Sequence, residues 1–316
     1  MERRKLQATG GSSLTLTLPK GWLTRWQLKS KDEVLITASG PTLLIKPASR
    51  NPQQTVIAIS LDGKKTEWIV REIIGAYVAG ADRIALEAKR ITPKQNETIR
   101  RTTQLLFGFE ILEESSHTII TQNVVNDNLF PVAESIQRVF AICQSMLTDA
   151  LRAAETGDKD LGHDVVLRDQ EVNKLVYAVE RRFVQVINGR AEGDVNEMHF
   201  YSDVAMQLER IGDRAVIIGN LVTKDLTGPV QVSSSFPAIR NGITGLFNDI
   251  STLLKSPDMV AAQEILDRNE HLEPLMYSSK RIKQTYEGAL VEDTLDRLRG
   301  RLMNIAELTI DYLIQP

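Results

Sequence analysis

Two carboxylates four residues apart are the first side chains in this sequence whose type and spacing could bind something. Glu209 and Asp213 lie in Leu208-Glu209-Arg210-Ile211-Gly212-Asp213, inside a stretch of helical periodicity, so both point from one face. Like charges at that spacing cost a helix roughly a few tenths of a kcal/mol unless something positive stands between them. Oxygen ligands suit hard or borderline cations, which makes iron, zinc or magnesium the candidates. Arg210 and Arg214 offer a plainer alternative, a solvated ladder of ion pairs. Asp169 and Asn173 repeat the four-residue spacing upstream, and ligands from two adjacent helices are how helical bundles build carboxylate-bridged metal sites. Gly212, between the two acids, is expected to let a backbone or ligand come close. A weaker counterpart follows near the end of the chain. Aligning Leu302-Met303-Asn304-Ile305-Ala306-Glu307 with the first motif sets Glu307 at the Asp213 position but Met303 at the Glu209 position, with Asp267 and Glu270 on the helix before it. A thioether is a poor ligand for hard cations, so a complete second site is not expected.

Nothing else reads as reaction chemistry. The four histidines, His117, His163, His199 and His271, lack metal-ligand spacing. No nucleophile–base arrangement or phosphate-binding glycine loop can be traced. The single cysteine, Cys143, sits in an apolar helical stretch and is expected to pack in a core. The chain is therefore not expected to be an enzyme; a di-metal carboxylate enzyme is the remaining catalytic alternative.

The elements that must position these residues follow from periodicity. Residues 14–18 alternate leucine and threonine as a half-buried strand does. Then come Pro19, a short helix over 21–27, a strand over 34–37, a turn at Ser39-Gly40-Pro41 and a strand over 42–46. From residue 55 the order is strand 56–61, helix 65–78, strand 83–87, a helix opened by Pro93, and strands 110–114 and 117–122, an α/β layer. Beyond residue 129 the texture is helical: 129–154, 161–187 and 195–222, then 239–254, 259–288 and 294–314. Two triplets of similar length suggest an internal duplication of about ninety residues.

Composition and charge narrow the class. With 42% hydrophobic and 25% charged residues, the chain is neither disordered nor fibrous, and 316 residues exceed what one core supports. It has no apolar run long enough to span a bilayer and no signal-type start, so a cytoplasmic protein without membrane insertion is expected. The net charge is -3, yet residues 1–50 hold nine basic residues against three acidic ones, a net of +6 that leaves -9 for the rest. Such asymmetry is the footprint of a polyanion-binding module, with a solvated basic face as the bland reading. About forty-five residues without disulfide or metal cannot bury enough surface alone, so this module is expected to dimerise.

Two resemblances sharpen these expectations. Arg3, Lys5-Leu6-Gln7, Gly10-Gly11-Ser12, Leu14-Thr15-Leu16-Thr17-Leu18-Pro19-Lys20, Trp22-Leu23 and Asp32-Glu33-Val34 resemble the AbrB/SpoVT swapped-hairpin domain over residues 3–47. That resemblance implies an intertwined homodimer gripping DNA phosphates through Arg3, Arg4, Lys5, Lys20 and Arg25. Asp169-Gln170-Glu171-Val172-Asn173 followed by Leu208-Glu209-Arg210-Ile211-Gly212-Asp213 resembles the PhoU family of phosphate-uptake regulators over residues 129–316. It implies two tandem three-helix bundles with metal at Glu209, Asp213, Asp169 and Asn173. The combination is similar to archaeal phosphate uptake regulators. The expected architecture is thus mainly α with a β-rich start: 1–50 a DNA-binding and dimerisation domain, 51–126 a small α/β domain, 127–226 the first bundle and 227–316 the second. The expected function is a DNA-binding regulator of phosphate uptake, its partners promoter DNA and a second copy. The alternative is an accessory protein acting by contact on a phosphate ABC transporter or signalling kinase, its N-terminal domain only dimerising.

Overall fold

The computed structural model describes residues 3–11, 13–39, 41–48, 54–126, 129–224, 228–279 and 285–315, in two compact units, 1–54 and 55–316. In the first, the alternating start of the chain turns back on itself. Strand β1 (Gln7–Thr9) pairs antiparallel with β2 (Ser13–Thr15), and Gly10 supplies the positive φ of +71° at the turn. With β1 only three residues long, pairing ends at Thr15, so 16–18 fall outside the strand that alternation predicts. Helix α1 (Lys20–Arg25) follows Pro19. Strands β3 (Val34–Ser39) and β4 (Thr42–Pro47) then form a second hairpin; Gly40 of the expected turn lies outside the described residues. None of the described residues of this unit is buried. Leu14, Leu35, Ile36 and Leu43 are all more than half exposed.

The second unit opens with the α/β layer: β5 (Val56–Ser60), α2 (Thr66–Val78), β6 (Arg83–Glu87), α3 (Pro93–Gln104), β7 (Phe109–Glu114) and β8 (Thr118–Asn123). The sheet order is β5-β6-β8-β7, with β5 and β6 parallel and the other pairs antiparallel. Alternate residues Ile59, Ile84, Leu86 and Ile119 pack with Ile69 and Ile73 of α2 and Ile99 of α3. Pro93 stands at the first turn of α3 behind a Thr92–Gln95 capping box, as its sequence position predicts.

Among the described residues six long helices follow: α4 (Val132–Thr156), α5 (Lys159–Ile187), α6 (Val195–Lys224), α7 (Phe236–Lys255), α8 (Met259–Ser279) and α9 (Tyr286–Ile314). Gly157, at φ +72°, ends α4, and the Asp158 side chain accepts from Leu161 N at 3.0 Å to start α5. The boundary expected between helices 259–288 and 294–314 lies earlier: α8 is described to Ser279 and α9 already starts at Tyr286. Thr285 caps a new helix by accepting from Gly288 N at 3.1 Å, and residues 280–284 lie outside the described residues. One continuous apolar cluster runs through both triplets, including Phe140, Leu208, Leu298 and Phe247. The Phe140 and Phe247 rings meet at 5.4 Å between α4 and α7.

The α/β layer is fixed to the first triplet by two arginines. Arg181 of α5, 2% exposed, donates to Tyr77 O at 2.8 Å and Ala81 O at 2.7 Å. Its guanidinium lies 4.9 Å and 5.3 Å from the Tyr77 and Phe109 ring centroids. Arg190 donates to Gly80 O and, at 2.5 Å, to Asp82. Asp82 also accepts from Thr55 N at 2.7 Å, so it is a joint between elements. Replacing Arg181 with alanine orphans two carbonyls and opens a cavity. The expected loss is about 3 kcal/mol in urea unfolding of the full chain; a loss below about 0.5 kcal/mol, within the range of ordinary surface substitutions, contradicts this account.

Candidate carboxylate site and basic face

Helices α5 and α6 bring the two predicted acid pairs together. Their backbones come close at Gly162 and Gly219, where a Cβ on Gly219 would stand 2.8 Å from Gly162 O. Gly212, the glycine between the acids, is not that contact point. A Cβ there would meet Val172, Asp169 Oδ1 and Cys143 Sγ at ordinary distances of 3.5–3.8 Å. Asp169 therefore lies beside the backbone between Glu209 and Asp213.

Asn173 Nδ2 donates to Asp169 Oδ2 at 2.7 Å. The other oxygen, Oδ1, is buried and has no hydrogen-bond partner among the described residues. Burial raises the Asp169 carboxyl above its ordinary range and the Asp213 charge raises it further, against the Asn173 hydrogen bond. Glu209 is raised by burial and by Asp213, with Arg210 opposing and Asp169 and Glu180 adding smaller increments. Glu180 is raised by burial. Arg210 lies 3.3 Å from Glu209 and 3.8 Å from Asp213, so the ion-pair ladder weighed from sequence is present on this face.

Two members of this neighbourhood escape the sequence reading. The Tyr177 phenol is raised first by burial, then by Glu209, Glu180, Asp169 and Asp213, and Glu180 lies within the same field. The signal was available: Asp169, Asn173 and Tyr177 continue one stripe at steps of four along α5. Cys143 packs beneath the site, fully buried, donating to Leu208 O at 3.3 Å. Burial, then the Asp169 charge, drives its thiol far above the usual range, which suits a core residue.

The donor set is all oxygen and fits a hard cation, and the orphaned Asp169 Oδ1 points the same way. As the side chains stand, no group of three or more His, Cys, Asp or Glu among the described residues is gathered closely enough to hold an ion. In the second triplet Met303 is 7% exposed within the core, whereas Glu307, Asp267 and Glu270 are exposed and belong to no such group. Arg3, Arg4, Lys5, Lys20 and Arg25 are all exposed in the N-terminal unit, the last two on α1. Among the described residues no helix is long and apolar enough to cross a membrane.

Comparison with known proteins agrees with both sequence resemblances. Residues 136–222 match the PhoU domain, and residues 7–53 match MazE, the bacterial antitoxin of antidote–toxin recognition; the chain thus carries a PhoU domain behind a MazE/AbrB-like domain. Two curated proteins from strains of Caulobacter vibrioides, NA1000/CB15N and ATCC 19089/CB 15, are each described as a phosphate-specific transport system accessory protein PhoU homolog. Each is 32% identical over 113 residues, 36% of this chain and 48% of the relative. The chain therefore spans about half the length of the curated relatives it matches. PhoU from Pseudomonas aeruginosa superposes with a TM-score of 0.51 at 16% identity, over 58% of this chain and 95% of that one. The phosphate transport system regulatory protein PhoU from Streptococcus pneumoniae gives 0.52 at 16% identity, over 58% and 93%. At that identity the likeness is one of fold alone.

The raised carboxyls give the site a signature in stability. A folded carboxyl that holds its proton more tightly than the unfolded chain does makes ionisation costly. That cost is absent below the ordinary carboxylate range, grows as pH climbs towards the raised folded values, and is complete above them. With chelator present, Glu209→Gln should therefore raise the melting temperature at pH 7 by roughly 2 °C, and the advantage should vanish near pH 4. Thermal unfolding at both pH values tests this; a lower melting temperature at pH 7 contradicts it.

Proposed function

We propose that this chain is a homodimeric, non-enzymatic regulator of phosphate uptake that binds promoter DNA through its N-terminal unit and metal ions through its first helical triplet. The PhoU domain supports the phosphate role, as do the Caulobacter relatives described as accessory proteins of a phosphate-specific transport system. The DNA role rests on the MazE match together with the five exposed cations Arg3, Arg4, Lys5, Lys20 and Arg25. Their charge would neutralise backbone phosphates and release counterions, giving steep salt dependence without sequence reading of their own.

Dimerisation is supported by the unburied state of the same unit. Leucines and isoleucines left in water forgo about 25 cal/mol for each Å² that a partner would cover, and the AbrB-like match supplies a mode, exchange of hairpins between copies. Metal binding is supported by Asp169, Asn173, Glu209 and Asp213, with iron, zinc or magnesium as the ion. Its positive charge would relieve the repulsion among these acids and satisfy Asp169 Oδ1.

The single observation that carries the reading is the junction, in one chain, of an exposed basic module and an acid-lined PhoU domain. Lys20→Glu and Arg25→Glu should each weaken binding to fragments upstream of phosphate-transport genes at least tenfold and lower the salt slope by about one per lost contact. Unchanged binding across several salt concentrations removes the DNA role. Elemental analysis should find metal in the parent protein and at least tenfold less in a Glu209→Gln, Asp213→Asn double variant; equal content in both removes the metal role. The accessory description of the relatives favours a second reading, direct contact with a phosphate transporter or its kinase. Capture of transporter subunits with no retardation of promoter DNA would establish that reading instead.

A further inference from the structure

Away from the carboxylates, a cleft of about 650 Å³ opens between α3, α4 and α5. It adjoins a hollow of about 440 Å³ that reaches the sheet, and Lys174 and Gln104 line both. Lys174 is half-buried and has no acidic partner among the described residues. A cation drawn partly out of water without a counter-charge is a standing cost that an anion would relieve.

Arg101 and Arg138 stand at the same cleft. Each already has a carboxylate, Glu97 at 2.7 Å for Arg101 and Glu171 for Arg138. The side chains are 78% and 65% exposed, and ion pairs in that setting hold by less than about 1 kcal/mol. Either guanidinium is free to turn to a phosphate, which it matches with two parallel hydrogen bonds. Glu171 is the one acid in the lining against three cations, in a chain whose residues beyond 50 are net negative.

Apart from Gln170, the remaining wall is apolar: Leu105, Phe107 and Leu175. An inorganic anion needs neither that wall nor that volume, which falls in the range of small organic ligands. The Gln104 amide adds a donor and an acceptor able to read a ring edge. We propose that this cleft binds a phosphorylated nucleotide, its phosphates on Lys174, Arg101 and Arg138 and its base against Phe107 and Leu175. The cleft depends on neither the carboxylates nor the N-terminal cations, and it gives the α/β layer a task, forming one wall of a ligand site.

Calorimetric titration of the full chain with ATP, AMP, adenosine and inorganic phosphate tests this. A nucleotide should bind at least tenfold more tightly than adenosine or phosphate alone. Lys174→Glu and Arg101→Glu should each weaken it at least tenfold, whereas Arg297→Glu, an equal charge reversal at an exposed side chain of α9, should leave it unchanged. If Lys174→Glu fails to fold, Lys174→Gln and the solvent-facing Arg101→Glu carry the test. Absence of nucleotide binding, equal affinity for inorganic phosphate, or undiminished binding by the folded variants overturns the proposal.

Discussion

Arg181 has no water to fall back on. A guanidinium stays charged at any pH a protein survives, so its donors must be met where it lies, and they are met by the carbonyls of Tyr77 and Ala81 and the faces of two rings. That requirement ties the end of α2 and the start of β6 to one turn of α5. The same helix carries Asp169, Asn173, Tyr177 and Glu180 towards α6 and Lys174 towards α3. The positions of the carboxylates and of the cleft are thus set by one rod, held by a buried arginine towards one end and by close backbone contact at Gly162 near the other.

Between those holds lies an arrangement that local energetics disfavours. Three acids are raised by burial, and two of them, Asp169 and Glu209, by the Asp213 charge as well, while Arg210 compensates from the solvent side only in part. Stability alone would favour replacing them with apolar residues. Sites that contradict the packing around them are where function concentrates, and the rigidity of α5 and α6 is what lets the contradiction persist.

Much of this was legible in the residues. The strand and helix order of the α/β layer, the Pro93 start and the pairing of Asp169 with the Glu209 face all follow from periodicity and punctuation. What escaped has physical causes. Alternation over 14–18 marks faces but says nothing of partner length, so the early end of β2 was hidden. A threonine cap at Thr285 is weaker punctuation than glycine or proline, so the boundary between α8 and α9 was placed too late in the chain. Arg181 looked like any helical arginine, because a buried cation is recognised only by what surrounds it. Tyr177 was overlooked because phenols are not sought among carboxylates, although its spacing continued theirs.

Met303 makes the two triplets unequal. The first triplet spends stability on an acid where the second places a thioether, 7% exposed and continuous with a core that runs through both. A soft, unbranched side chain fills gaps that a carboxylate would have forced open to solvent. The two halves have divided the labour: one holds the electrostatically strained face, and the other acts as its keel, contributing cohesion through the shared interior without carrying a liability of its own.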